Sequence, residues 1–269
     1  MARRALLPST GPQDMAKSRE WAGRFLSGPA ELPVSFMLGG KPAAGISADW
    51  QPRSRRRRLD AGIVETVLDG SHVQTGLNLR VECLAYPDYP VVEWVAWFTN
   101  TGSRPTPIIS DILALDARFA GSSPVLQHSN GDFCSGEGYA LQKPPVRAGR
   151  SLTFVPAGGR PCGHAFPYYR VMFEGCGLSI AIGWPAQWSA TFTGVPGGVH
   201  VKAGQEKTHL RLTPGETIRT PLINTPEIRL DRPIGAGFTE KAIYVSDPYN
   251  FRVVRVDMTW KAEETCEIK

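Results

Sequence analysis

Two tryptophans and one polar loop are the residues of this sequence best suited to hold a ligand. Trp184 and Trp188 flank a Pro-Ala-Gln segment that follows an apolar run. The loop from His128 to Asp132 supplies imidazole, hydroxyl, amide and carboxylate groups, and Asn130 provides the amide. Aromatic rings and a few well-placed polar groups are typical of sugar sites. These residues predict a carbohydrate site, although tryptophans that only close the edge of a domain would explain the pattern equally well.

Six acidic residues are candidates for the paired carboxylates of a glycoside hydrolase. They are Asp111, Asp116, Asp132, Glu137, Glu174 and Glu206. Hydrolysis needs two carboxyl groups about 5 to 10 Å apart, and the sequence alone brings no pair together. If the chain has a hydrolase or lyase site of its own, Asp132, Glu137 and Glu206 are the residues we expect to form it.

The sequence lacks the common motifs for phosphate, dinucleotide and metal chemistry. It has no Walker loop, dinucleotide fingerprint, HExxH or GxSxG. Cys162, His164 and Cys176, with His128 and Cys134 upstream, lack the close paired spacing of a zinc site. We therefore expect no metal and no cofactor.

The formal net charge of +5 comes largely from one basic run, Arg53 with Arg55 to Arg58. No aromatic residue interrupts this run and no nucleic-acid motif accompanies it, so we expect a solvated loop and no nucleic-acid partner. The sequence shows no secretory signal and no run of about 20 apolar residues. A cytoplasmic protein with reduced cysteines and no membrane contact is the expectation.

The periodicity of the apolar residues predicts an all-β chain with one short helix. Asp14 to Leu26 is the helix, because Trp21 and Phe25 share one of its faces. Residues 76–85 alternate between apolar and polar side chains, and residues 91–99 are apolar on both faces, as in a central strand. Many strands without intervening helices predict a two-layer antiparallel β-sandwich. Residues 121–150 lack a period and are expected to form a long loop.

Several short runs, in order along residues 14–222, carry a family resemblance. They are Tyr86–Trp94, Phe98–Gly102, Asp111–Asp116, Gln127–Gly131, Ile182–Trp188 and Ala203–His209. These runs resemble the N-terminal β-supersandwich of glycoside hydrolase family 36, the α-galactosidases. The resemblance implies a domain that packs on a catalytic (β/α)8 barrel, aids oligomerisation and lends loops to the rim of the sugar site. It carries over no catalytic residue, because the family's catalytic aspartates belong to the barrel.

The resemblance divides the chain into three parts: a disordered lead over 1–13, the supersandwich over 14–222, and a divergent tail over 223–269. A barrel needs about 200 residues or more, so a truncated or rearranged gene is the expectation. The tail over 226–260 resembles one NHL propeller repeat. Its β-prone runs, 243–245 and 252–256, are predicted to pair as a hairpin.

Three functions stay open from the sequence. The first is a non-catalytic, carbohydrate-associated module that binds galactose-containing saccharides weakly and works with a barrel chain or a second copy of itself. The second is an active glycoside hydrolase or lyase that uses carboxylates of the sandwich. The third is a protein-interaction module.

Overall fold

The computed structural model describes residues 12–25, 32–59, 63–86, 90–131, 136–174, 176–226, 235–238, 242–247 and 252–257. Helix α1 spans Pro12–Phe25, close to its predicted limits. The first strands are β1 (Ser35–Leu38), β2 (Lys41–Ala44), β3 (Arg53–Arg58), β4 (Val64–His72), β5 (Leu77–Tyr86), β6 (Val91–Asn100), β7 (Ile109–Ala120), β8 (Val125–Gln127) and β9 (Ser151–Phe154). The later strands are β10 (Tyr168–Phe173), β11 (Cys176–Gly183), β12 (Trp188–Val195), β13 (Gly198–Gln205), β14 (His209–Leu210), β15 (Thr217–Arg219), β16 (Leu222–Pro226), β17 (Gly235–Phe238), β18 (Ala242–Asp247) and β19 (Arg252–Asp257).

The described strands confirm the predicted all-β sandwich. One antiparallel sheet has the order β2-β1-β7-β13-β12-β9, with β14 beside β7. The other has the order β3-β4-β5-β6-β16-β11-β10-β8, with β15 beside β6. The 12-residue strand β7 belongs to the first sheet and the apolar strand β6 to the second.

The core lies between the two sheets and is formed by alternate residues of their strands. In β6, Val92, Trp94, Ala96 and Phe98 are buried, and β12 buries Trp188, Ala190 and Phe192. Trp94 also donates its Nε1–H to the carbonyl oxygen of Ala114 at 2.7 Å, which links the two sheets. In helix α1, Trp21 stacks on Trp94 at 5.3 Å between ring centroids. One shared aromatic core therefore holds the helix and both sheets together.

The structure corrects two expectations about loops. The arginine run is strand β3 and not a solvated loop, because it pairs with β4 along its whole length. It can be so polar because it lies at the edge of the sheet with all six residues exposed. Residues 121–150 are also not one long loop, because β8 pairs with β10 and a 3-10 turn forms over Gly136–Tyr139.

Strand β16 begins at Leu222, where the resemblance to the supersandwich ends. It pairs with both β6 and β11, and Ile223 is fully buried. The compact unit that contains the sandwich runs from residue 10 to residue 228. The second unit contains an antiparallel sheet of β17, β18 and β19, in which Ile243 lies opposite Val256, as the predicted hairpin requires. No helix among the described residues combines the length and apolarity needed to cross a membrane.

Candidate functional site

Beneath the predicted polar loop lies a chain of four aromatic rings. The imidazole of His128 packs 4.4 Å from the ring of Phe154. Phe154 in turn lies 5.2 Å from Tyr169, and Tyr169 lies edge-on to Trp188 at 6.1 Å. These distances are typical of packed aromatic pairs. Two predicted site residues, His128 and Trp188, are thus brought into one cluster.

Trp188 is part of the core and not a surface for stacking. Its side chain is 0% exposed, and its Nε1–H donates to the carbonyl oxygen of Pro161 at 2.8 Å. Strand β12 begins at this residue, so the indole closes the core where the strand enters the sheet. Because both ring faces are covered, a sugar could use Trp188 only as support for residues nearer the surface.

His128 anchors the start of the polar loop. It exchanges main-chain hydrogen bonds with Gln142, at 3.1 Å and 2.8 Å. The residue is only 6% exposed, and burial lowers the pKa of its imidazole from the ordinary value. Its Nδ1 has no hydrogen-bond partner among the described residues. His128 is therefore a neutral, buried side chain that supports the loop and does not reach a ligand.

Two further contacts hold the loop after His128. The N–H of Phe166 donates to the carbonyl oxygen of Ser129 at 3.2 Å, and the N–H of Gly131 donates to that of Gly138 at 2.8 Å. Gly131 has φ +81°, and a Cβ at this position would clash with the carbonyl oxygen of Cys162. Only glycine fits both the backbone conformation and the space. We call residues 128–131 the strapped loop, because hydrogen bonds to Gln142, Phe166 and Gly138 hold them in place. Asn130 is half-buried in this loop, and Asp132 lies outside the described residues.

Three aromatic residues beside the loop form a surface that the sequence did not predict. We define the aromatic platform as Tyr139, Phe166 and Tyr168. Phe166 lies 5.5 Å from Tyr139 and 5.0 Å from Tyr168. The two tyrosines are 52% and 57% exposed, the highest values among the Phe, Tyr and Trp residues whose burial is described. The alternation of β10, which buries Tyr169 and leaves Tyr168 exposed, was a signal for Tyr168 alone.

The outer face of the second sheet extends from the platform as one cross-strand row. Tyr168 lies opposite Ala181, Ala181 opposite Asn224, and Asn224 opposite Glu93. The small side chain of Ala181 leaves the ring of Tyr168 uncovered on that side. The amide of Asn224 donates to Glu93 at 3.3 Å, and Glu93 also accepts the hydroxyl of Tyr86 at 2.8 Å. The polar side chains of Asn224 and Glu93 therefore lie two and three strands away from the exposed ring of Tyr168.

Trp184 lies outside the buried cluster. It is half-buried and follows β11. The guanidinium carbon of Arg219 lies 5.2 Å from the centre of its ring, a cation–π contact that occupies one face of the indole. The structure thus separates the two predicted tryptophans, although they are four residues apart: Trp188 supports the core, and Trp184 packs at the surface.

The described carboxylates on the sandwich make mostly structural contacts. Asp116 accepts the hydroxyl of Ser35 at 2.6 Å and contacts His200 Nε2 at 2.5 Å. Glu174 accepts the hydroxyls of two serines, at 3.1 Å and 2.9 Å. Glu137 is exposed in the 3-10 turn of the platform. No cluster of three or more His, Cys, Asp or Glu side chains among the described residues could hold a metal ion.

Comparison with known proteins places the fold. No family model and no curated protein sequence matches the chain. Solved structures do match. The GH36 α-galactosidase AgaA from Geobacillus stearothermophilus is similar over 72% of this chain, at 15% identity and a TM-score of 0.52. The α-galactosidase from Lactobacillus brevis is similar over 72% of this chain, at 14% identity and a TM-score of 0.55.

This chain shares the fold of part of the GH36 α-galactosidases. It spans 29% of the length of AgaA and 28% of that of the L. brevis enzyme. That share is consistent with the N-terminal sandwich domain that the sequence resembles. Other structures of AgaA contain stachyose or raffinose. At these identities the likeness establishes the fold, and the activity of the whole enzymes does not transfer with it.

Proposed function

We propose that this sandwich is a carbohydrate-associated module that binds galactose-containing saccharides on the aromatic platform and has no turnover of its own. The observation that carries the proposal is the exposure of Tyr139 and Tyr168 beside a loop held in place at three points. Exposed aromatic rings in a fixed position can stack on the apolar face of a sugar at little cost in conformational entropy.

Polar groups for the sugar hydroxyls flank the platform. Asn130 lies in the strapped loop, and Asn224 lies on the outer face two strands from Tyr168. Asp132 follows Gly131 directly in the sequence, and it stays a proposed sugar-binding residue on that ground alone. Trp184 follows β11, the strand that pairs with β10, and we propose that it contributes at the margin of the site. His128 and Trp188 support the platform from the core. An amide both donates and accepts hydrogen bonds, as a sugar hydroxyl requires.

The proposed binding is weak. The platform is an open surface, whereas tight small-molecule sites enclose most of the ligand. A dissociation constant on the order of 1 mM, or about −4 kcal/mol, is the expectation. A barrel chain or a second copy of this chain could enclose the sugar further, and we propose either as the partner.

The experiment is a calorimetric titration with raffinose and stachyose. The double variant Tyr139→Ala/Tyr168→Ala removes both exposed rings and should weaken binding at least tenfold. Its matched control is Tyr139→Phe/Tyr168→Phe, which keeps the rings and loses only the hydroxyls, and it should stay within about threefold of the parent. Equal affinity of the alanine variant and the parent would show that the sugar binds elsewhere.

The proposed lack of turnover is tested separately. The carboxylates Asp116 and Glu174 are already hydrogen bonded to serines, and a hydrolase needs an acid and a second carboxylate free to act on the glycosidic bond. The purified chain should therefore release no phenol from an aryl α-galactoside above the buffer rate. Turnover that disappears in Glu137→Gln or Asp132→Asn would instead support a hydrolase site on the sandwich.

A further inference from the structure

Strand β3 concentrates positive charge at a free edge of the second sheet. Five of its six residues are arginine, and all six are exposed. On one side it pairs with β4 over its full length. No described strand pairs with its other side, so a row of main-chain N–H and C=O groups faces outward.

The arginines alternate between the two faces of the sheet. Arg53, Arg55 and Arg57 share the outer face with their β4 partners, and Arg56 and Arg58 lie on the opposite face. The opposite face is turned toward the core, because Leu68, the partner of Ser54, is fully buried. The free edge is therefore basic on both sides.

Neighbouring carboxylates neutralise only part of this charge. Glu65 binds Arg57 through two hydrogen bonds, at 2.5 Å and 3.2 Å, and lies 3.7 Å from Arg55. Asp69, opposite Arg53, accepts both of its hydrogen bonds from the amide of Asn78. Within the described part of the chain, the side chains of Arg53 and Arg56 form no hydrogen bond and no ion pair. One cation on each face is left for a partner.

We propose that β3 is the docking edge for an extended acidic segment of a partner protein, which adds to the sheet as a further strand. A polypeptide strand can use the outward main-chain groups and also alternates its side chains, so its carboxylates would meet the arginines on both faces. Two copies of this edge would instead bring arginines opposite arginines, which disfavours self-pairing. The run contains only arginine and serine, so it offers no ring on which a nucleic-acid base could stack.

The test uses a labelled peptide that repeats Glu-Glu-Thr-Thr, because this order places carboxylates on both faces of an extended strand. The Lys-Lys-Thr-Thr counterpart is the control, and binding is measured by fluorescence anisotropy at about 0.15 M salt. The acidic peptide should bind and the basic one should not. The variant Arg53→Ser/Arg56→Ser should weaken binding at least tenfold. The matched control Arg147→Ser/Arg150→Ser, which removes the same charge at other exposed positions, should leave it unchanged.

A second peptide separates strand addition from simple charge attraction. In an extended peptide the N–H groups of alternate residues point to the same edge, so N-methylation of alternate residues removes the main-chain donors of one edge and keeps every carboxylate. Methylation of either the odd-numbered or the even-numbered residues gives two peptides, each with one blocked edge. Of the two such peptides, the one methylated on the pairing edge should bind at least tenfold more weakly than the unmodified peptide. Equal binding of both methylated peptides, or equally tight binding of dextran sulfate or oligothymidylate, would overturn the proposal in favour of a general polyanion surface. Failure of the acidic peptide to bind would mean that the arginines only protect the edge.

Discussion

The two ends of the nine-stranded sheet differ in what they present to solvent, although they share one row of residues. The row runs from Arg57 through Glu65, Leu84, Glu93, Asn224 and Ala181 to Tyr168. At about 4.8 Å per strand, its ends are about 29 Å apart. One end carries guanidinium groups on a free edge, and the other carries exposed aromatic rings beside a strapped loop.

The difference lies in what supports each end. The aromatic platform is backed by the buried cluster of His128, Phe154, Tyr169 and Trp188, which fixes the position of its strand and loop. The arginine edge depends on the pairing of β3 with β4 and on surface charges. We infer that stability and ligand binding are coupled at the aromatic end and are largely independent at the arginine end.

The largest effect should follow from removing the support of the platform. Trp188→Ala deletes a fully buried indole and leaves its cavity, which costs about 3 to 5 kcal/mol of unfolding free energy. Urea unfolding of the variant and of Trp184→Ala measures the contrast. Trp184→Ala should lower the unfolding free energy clearly less, because Trp184 is only half-buried. Equal losses would mean that both tryptophans serve the core in the same way.

Gly131 should be the most sensitive position of the loop. Gly131→Ala combines a left-handed backbone with a clash against the carbonyl of Cys162, so we expect a loss of about 2 to 4 kcal/mol and weaker galactoside binding. Gly149→Ala is the control, because its φ is also positive, at +72°, but no atom lies within 4 Å of the added Cβ. It should cost about 1 kcal/mol. Similar losses in urea unfolding would show that the clash is relieved.

The aromatic end should also lose stability in mild acid. Burial lowers the pKa of His128 in the folded chain, whereas an unfolded histidine titrates near 6.5. The unfolded chain then binds the extra proton first, so stability falls as the pH drops below about 6.5. The fall in melting temperature between pH 7.5 and pH 5 should be smaller for His128→Leu than for the parent. Identical falls would place the sensitivity elsewhere.

The smallest effect should come from the arginine end. Arg53→Ser/Arg56→Ser removes two exposed side chains that form no ion pair with the described residues, so the melting temperature should stay within about 2 °C of the parent value. Differential scanning calorimetry measures this. A loss of more than about 5 °C would show that the edge strand contributes to the core and would remove the contrast between the two ends.

The sequence predicted the fold well because periodicity reports burial. The alternation of β5 follows from the burial of one of its faces, and β6 likewise buries only alternate residues although both of its faces are apolar. The arginine strand escaped prediction because an edge strand needs no apolar side chain, so its sequence has no period in hydrophobicity.

The candidate site was predicted less completely. The loop after His128 was found from its polar groups, and the burial of Trp188 fits the alternative that the tryptophans close the edge of the domain, but the platform was not predicted. A tryptophan at a strand start has the same local sequence whether it faces the core or solvent. Phe166 and Tyr168 are two residues apart in the sequence, but Tyr139 joins them through contacts of the loop with Phe166 and Gly138. Such contacts between distant segments leave no periodic signal.

The most direct test of the central claim is a galactoside titration of the chain labelled with ¹³C-tyrosine, followed by NMR. Raffinose should shift the ring signals of Tyr139 and Tyr168 and leave that of the buried Tyr169 nearly unchanged. Assignment by single Tyr→Phe variants makes the result unambiguous. Saturable binding that shifts other tyrosines and leaves Tyr139 and Tyr168 unmoved, or no shift at about 20 mM sugar, roughly twenty times the expected dissociation constant, would contradict it.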